Sequence, residues 1–269
     1  MKERSLLETK VQERTAELEE ANRKLCELDV AKTRFFANVS HELRTPIALI
    51  RAPLESIIGG ECGAAVDRGH RLFSVMRRNT LRLARLVDDL LSVVKIESGG
   101  MRLAPEPLDA VATVRNYVSE FESAAKLRGI RLKLVEPAVP RIAVNADPRG
   151  FETMVLNLVS NAIKYTGPGG SVAVSIAADM AAGSCIITVR DTGIGIPESK
   201  RDLVFERFKR IYDEERNSYE GCGIGLSLSR EIARLHGGDI SFTSAEGSGS
   251  SFTITLPIAD ATMRSGARG

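Results

Sequence analysis

A chain of 269 residues, 43% hydrophobic and 27% charged, has the balance of a folded protein with room for two modest domains, which argues against disorder. A net charge of +2 without a basic run argues against a nucleic-acid partner or membrane contact by this segment. No stretch approaches the roughly 20 apolar residues of a membrane span and the opening MKERSLLETK has no apolar signal core; the isolated Cys26, Cys62, Cys185 and Cys222 read as free thiols, so the expectation is a soluble, cytoplasmic segment.

Residues 1 to about 100 read as helix almost throughout. Arg4, Val11, Leu18, Leu25, Lys32 and Val39 occupy heptad position a, and Leu7, Arg14, Ala21, Leu28 and Phe35 position d. Eight of these eleven are apolar, which predicts a coiled-coil seam reaching about residue 40. The run Gly59-Gly60-Glu61-Cys62-Gly63 separates this helix from a second one. There Leu72, Met76, Asn79, Leu83, Leu86, Leu90 and Val93 recur at intervals of three and four, until Gly99-Gly100 supplies the glycine expected of a helix C-cap. A hairpin with one apolar stripe per helix buries it best by pairing with another hairpin, so a four-helix bundle and a homodimer are expected.

Beyond Gly100 helix and strand periods mix. Helices are expected at Asp109–Leu127 with Asp109 as N-cap, at Gly150–Tyr165 after Asp147-Pro148, and at Ile224–Leu235. Strands are expected at Ile130–Val135, Arg141–Val144, Ser171–Ile176, Cys185–Arg190, Asp239–Thr243 and Ser251–Leu256. The class is α+β: a dimeric helical bundle followed by an α/β sandwich with a largely antiparallel sheet. Residues 258–269, rich in Ala, Gly, Ser and Arg, are expected to be loose.

His41 lies in Val39-Ser40-His41-Glu42-Leu43-Arg44-Thr45-Pro46, outside the a/d seam and so facing solvent. A neutral imidazole is a competent nucleophile near neutral pH. Glu42 is the carboxylate at hand to accept its proton, although adjacent residues do not share a helix face. Thr45, one turn on, shares the face of His41, where its hydroxyl can orient a water. Pro46 either kinks the helix or follows Thr45 as the first residue of a fresh one.

This string resembles the phosphoacceptor box of sensor histidine kinases, and four further boxes follow in that family's order. Asn157–Thr166 resembles the Asn box, Asp191-Thr192-Gly193-Ile194-Gly195-Ile196-Pro197 the first Gly box, Phe205–Phe208 the Phe box, and Gly221-Cys222-Gly223-Ile224-Gly225-Leu226 the second Gly box. One Gly-rich hexamer alone would be weak; five boxes in order are not. The resemblance implies a nucleotide site from Asn157, Asn161, Lys164, Tyr165, Asp191, Gly193, Gly195, Ile196, Phe208 and the second Gly box. It also implies that Glu198–Glu220 is a lid over nucleotide, with Lys209 and Arg210 as its cations nearest the γ-phosphate.

The residue chemistry agrees. Asn157, Asn161, Lys164 and Tyr165 share a helix face. The amide oxygen of Asn161 suits Mg²⁺, and Lys164 suits phosphates. Satisfying backbone groups in the core remains an alternative role for Asn157. The Asp191 carboxylate can accept a hydrogen bond from the adenine amine, with Gly193 and Gly195 admitting the base. Gly221, Gly223 and Gly225 precede a helix whose first N–H groups can bind phosphate. Cys222 stands where the family usually has Thr or Ser.

The implied activity is ATP-dependent phosphorylation of His41 with Mg²⁺, then transfer to an aspartate of a response-regulator receiver domain, with Thr45 also fitting dephosphorylation of that regulator. The implied division is a signalling coiled coil (1–30), a dimerisation and phosphotransfer domain (31–98), and an ATP-binding domain (101–257). The rivals are another ATPase of the same gyrase and chaperone superfamily, or a coiled-coil dimer that only transmits signals. The segment reads as part of a longer sensor protein.

Overall fold

The computed structural model describes residues 2–58, 66–98, 100–135, 138–207, 209 and 223–259; some side chains of the first two helices, His41 and Glu42 among them, also lie outside the described residues. Two units divide the chain, Met1–Leu83 and Ala84–Gly269.

In the first unit, α1 (Lys2–Ile58) is one helix with Pro46 and Pro53 inside it. Without its N–H, Pro46 denies the Glu42 carbonyl a helical donor. The helix nonetheless continues, and Pro46 is buried. Thr45 sits mid-helix, so a fresh helix capped by Thr45 is not formed. The heptad residues Leu18 and Leu25 remain 71% and 68% exposed in the single chain. The Gly59–Gly63 loop lies outside the described residues.

The second helix, α2 (Val66–Glu97), begins in the first unit and ends in the second. Its end follows the glycine signal: the Gly100 N–H donates to Lys95 O at 2.8 Å, the six-to-one bond of a glycine-terminated helix. Gly99 itself is outside the described residues.

The rest of the second unit is a sheet with helices on one face. Its five strands run in the order β2 (Arg131–Val135), β4 (Ser171–Asp179), β5 (Ser184–Asp191), β7 (Ser250–Pro257), β6 (Asp239–Ser244), and only the β2–β4 pair is parallel. Alternation decides the faces. Val172, Val174 and Ile176 of β4, Cys185, Ile187 and Val189 of β5, and Ile254 and Leu256 of β7 are buried. Their neighbours Ser171, Ser175, Thr188 and Thr253 are less covered, and Thr188 and Thr253 pair their hydroxyls across strands at 3.2 Å. Against the buried face lie α3 (Ala110–Glu120), α5 (Pro148–Tyr165) and α6 (Gly225–Leu235). Phe151, Met154 and Val155 of α5 are fully buried there, each stabilising the fold by roughly 1.5–3 kcal/mol.

Three expected elements differ. The helix foreseen over Asp109–Leu127 breaks at Phe121 into α3 and α4 (Glu122–Leu127), with the Phe121 N–H turning back to Val118 O at 3.0 Å. Asp109 does cap α3, accepting from the N–H groups of Val111 and Ala112. The strand foreseen at Arg141–Val144 is β3 (Ala143–Ala146), displaced because it pairs with an unforeseen β1 (Glu106–Asp109) that contains Pro107. The tail begins ordered: Ile258 bridges Val144, and the Ile258 and Ala259 N–H groups donate to Gly183 O and Ala143 O, each at 2.8 Å. Residues 260–269 lie outside the described residues.

Candidate nucleotide site

The site is built around α5. Asp147 caps it, accepting from the Gly150 N–H at 2.8 Å, and Pro148 takes the first helical position. The other Asp147 oxygen accepts from the Ala104 N–H at 2.9 Å, and the Asp147 N–H donates to His236 Nε2 at 2.8 Å. The His236 Nδ1–H donates to Ile232 O at 2.7 Å, which leaves Nε2 as the accepting ring nitrogen. Burial raises the Asp147 pKa, but the N–H groups of Ala104 and Gly150 bring it below the ordinary value. One carboxylate thus ties the chain leaving α2 to the start of α5, while its own N–H ties the end of α6.

Along α5, Asn157 donates from Nδ2 to Gly225 O at 3.2 Å and to Ser229 Oγ at 3.1 Å. It therefore braces α5 against the first turn of α6, the packing role left open in the sequence. Asn161, half-buried one turn on, makes no side-chain hydrogen bond among the described residues. The Lys164 ammonium lies 5.0 Å from the centre of the Tyr165 ring. Tyr165 ends the helix against the first Gly box: its carbonyl accepts from the Ile194 N–H at 3.2 Å, and a side chain at Gly193 would strike that same oxygen.

Asp191 closes β5 and is only 6% exposed. Its Oδ1 accepts from the N–H groups of Gly193 at 2.7 Å and Ser250 at 3.3 Å. Oδ2 takes part in neither bond, yet no buried side-chain oxygen among the described residues lacks a partner. Oδ2 therefore opens outward, an acceptor held still by its twin. Burial raises the Asp191 pKa, and the two N–H groups offset this only in part. Gly195, at φ 67°, is pressed against Ala245 O, so its missing side chain serves the protein's own backbone. Ile196 is buried beside it.

Glu198–Leu203, foreseen as the start of a lid, is a short 3-10 turn. After it, Phe205 of the Phe box meets Phe242 edge-on at 5.6 Å, and Phe242 stacks on Phe252 at 5.4 Å. The Arg230 guanidinium of α6 lies 4.4 Å over Phe205 and holds Asp239 with both fork nitrogens, at 2.8 and 3.1 Å. Lys209 pairs with Glu206 at 2.6 Å. Phe208, Arg210, Gly221 and Cys222 lie outside the described residues.

Of the second Gly box, Gly223 and the buried Ile224 lead into α6, and Gly225 and Leu226 form its first turn. Among the described residues no side chain caps that turn, and N–H groups at such a turn suit an anion. The structure thus joins the Asn box to the first Gly box through Tyr165 and to the second through Asn157. His41, Glu42 and Thr45 belong to the other unit. Sequence reading missed Ser250, Arg230 and the Asp147–His236 tie; the Gly-Ser-Gly-Ser string ending at Ser250 reads as an ordinary hairpin turn.

Residues 31–99 match the model of the His Kinase A (phospho-acceptor) domain, and residues 146–260 that of the histidine kinase-, DNA gyrase B- and HSP90-like ATPase. Sensor histidine kinase TmoS of Ectopseudomonas mendocina is 37% identical over 242 residues, 90% of this chain, which spans 24% of TmoS. Among solved structures, Acinetobacter baumannii histidine kinase AdeS has a TM-score of 0.57 at 26% identity, covering 82% of this chain and 98% of that one. Histidine kinase ThkA, solved in complex with response regulator protein TrrA, has a TM-score of 0.53 at 23% identity, covering 82% of this chain and 60% of its own.

Proposed function

The chain belongs to the sensor histidine kinases, whose two domain models together match more than half of it, and we propose that it is the catalytic core of such a kinase, transferring the γ-phosphoryl of ATP to His41. The observation that carries this reading is the Asp191 turn: a buried carboxylate fixed through one oxygen, with the other open to the adenine amine. The uncapped first turn of α6 receives phosphate oxygens, and Lys164 adds charge. Asn161 is the residue to offer Mg²⁺ an amide oxygen. The described residues hold no cluster of three His, Cys, Asp or Glu, which suits an ion that takes most of its ligands from water and phosphate. When bound, that ion would neutralise charge on the transferring group.

His41 is the nucleophile, with Glu42 accepting its proton and Thr45 orienting water for hydrolysis of the phosphorylated response regulator. Lys209 and Arg210 supply the cations toward the γ-phosphate. Residues 1–30 act as a signalling helix, 31–98 dimerise and carry His41, and 101–257 bind ATP. The phosphoryl group then passes to an aspartate of a response-regulator receiver domain; ThkA, similar in fold, was solved in complex with response regulator protein TrrA. The working assembly is a homodimer on the cytoplasmic side. Among the described residues, no helix is long and apolar enough to cross a membrane.

Incubation with γ-labelled ATP tests the reading. Label should appear on the wild-type chain, be lost in acid, and map to His41, while His41→Ala binds ATP within about two-fold of wild type and takes up none. Label on His70 or His236, or label stable in acid, would overturn it.

A further inference from the structure

The hairpin between β6 and β7 does more than close the sheet. Its Gly247 N–H donates to Ile194 O at 2.7 Å, and its Ser250 N–H holds Asp191. At its base, Ser244 Oγ donates to Gly249 O at 2.9 Å and lies 2.9 Å from Ser250 Oγ. A hydroxyl carries one hydrogen. Ser244 spends its own on a carbonyl, which can only accept, so the bond between the two serines must be donated by Ser250. With that hydrogen committed, Ser250 Oγ is left with lone pairs alone.

We propose that Ser244 is a positioning residue for nucleotide choice: by fixing the Ser250 hydroxyl hydrogen, it keeps the Asp191 turn a surface of side-chain acceptors. Such a surface favours a purine bearing an amine and disfavours one bearing an oxo group, itself an acceptor. Without Ser244, the Ser250 hydroxyl is free to turn toward Asp191, whose Oδ1 already lies 3.3 Å from the Ser250 nitrogen, and to compete for the carboxylate. The proposal rests on the reading that Asp191 receives the adenine amine.

The test uses the full chain, with calorimetric binding of ATP and of purine riboside triphosphate, which lacks the amine. Wild type should prefer ATP. In Ser244→Ala that preference should fall about five-fold, the worth of one ordinary hydrogen bond, with analogue affinity unchanged. Ser244→Thr, which keeps the hydroxyl, should restore it. Equal weakening toward both nucleotides would mean that Ser244 merely supports the fold, and an unchanged preference would also overturn the proposal. If wild type and Asp191→Asn are alike indifferent to the amine, the adenine reading itself falls and takes this proposal with it.

Discussion

Asp191 serves two opposed demands. A carboxylate is the right acceptor for an amine, but burial disfavours its charge and holds its pKa above the ordinary value. The folded chain therefore keeps the Asp191 proton to higher pH than the unfolded chain does. As pH rises through that window the folded state binds more protons than the unfolded one, so this residue's contribution to stability falls. Asp191→Asn keeps an oxygen for the Gly193 and Ser250 N–H groups and removes the buried charge. The nucleotide-free melting temperature of the variant at pH 7 should equal or exceed that of wild type. ATP affinity should fall about ten- to a hundred-fold, because a donor replaces the outward acceptor of a charge-assisted bond. Melting several degrees lower would mark Asp191 as a structural residue instead. Its place was legible because a carboxylate before glycines marks the end of a strand pattern. Ser250, 59 residues away on another strand, was not, since nothing local joins the two.

Elements with local signals were read well, and those set by distant partners were not. Asp147-Pro148 announces α5 by itself, through a capping side chain and a proline where its missing N–H costs nothing. Strand β1 is short, contains a proline, and exists because β3 lies beside it. The break at Phe121 falls in a continuous helical pattern. The Arg230–Asp239 pair, which joins α6 to β6 and covers Phe205, also needs the fold before it can be seen. Chiefly through the Arg230 hydrogen bonds, and against burial, the Asp239 pKa drops to about 2. Stabilisation from this pair is therefore complete above the unfolded carboxylate pKa near 4 and is lost as pH falls toward about 2. Both partners reach solvent, which limits its worth to at most about 1 kcal/mol. Arg230→Met should flatten the acid limb of a denaturation profile taken between about pH 5 and 3, relative to wild type. Parallel profiles would show that the pair contributes no stability to the fold.

Assembly follows from the seam that a single chain leaves uncovered. Leu18 and Leu25, both heptad positions, stand 71% and 68% exposed; on α2 the stripe residues Leu83, Leu86 and Leu90 are half-buried, and Leu91 and Val94, which adjoin that stripe without belonging to it, are 52% and 60% exposed. Apolar surface in a repeating stripe on long helices is covered most economically by the same stripe on a second copy. Parallel pairing of two chains through residues 1–98 would close a four-helix bundle and continue along the N-terminal helix. In sedimentation at micromolar concentration, wild type should run at twice the chain mass. Leu86 belongs to the stripe of α2 and is half-buried even in one chain. Leu86→Glu would place an unpartnered carboxylate in the bundle, weakening association by at least about a hundred-fold in Kd. Since the melting of α3 to α6 with their sheet does not depend on that stripe, calorimetry should still show the ATP-binding unit folded and binding nucleotide. A wild-type monomer, or a Leu86→Glu dimer as tight as wild type, would contradict the bundle.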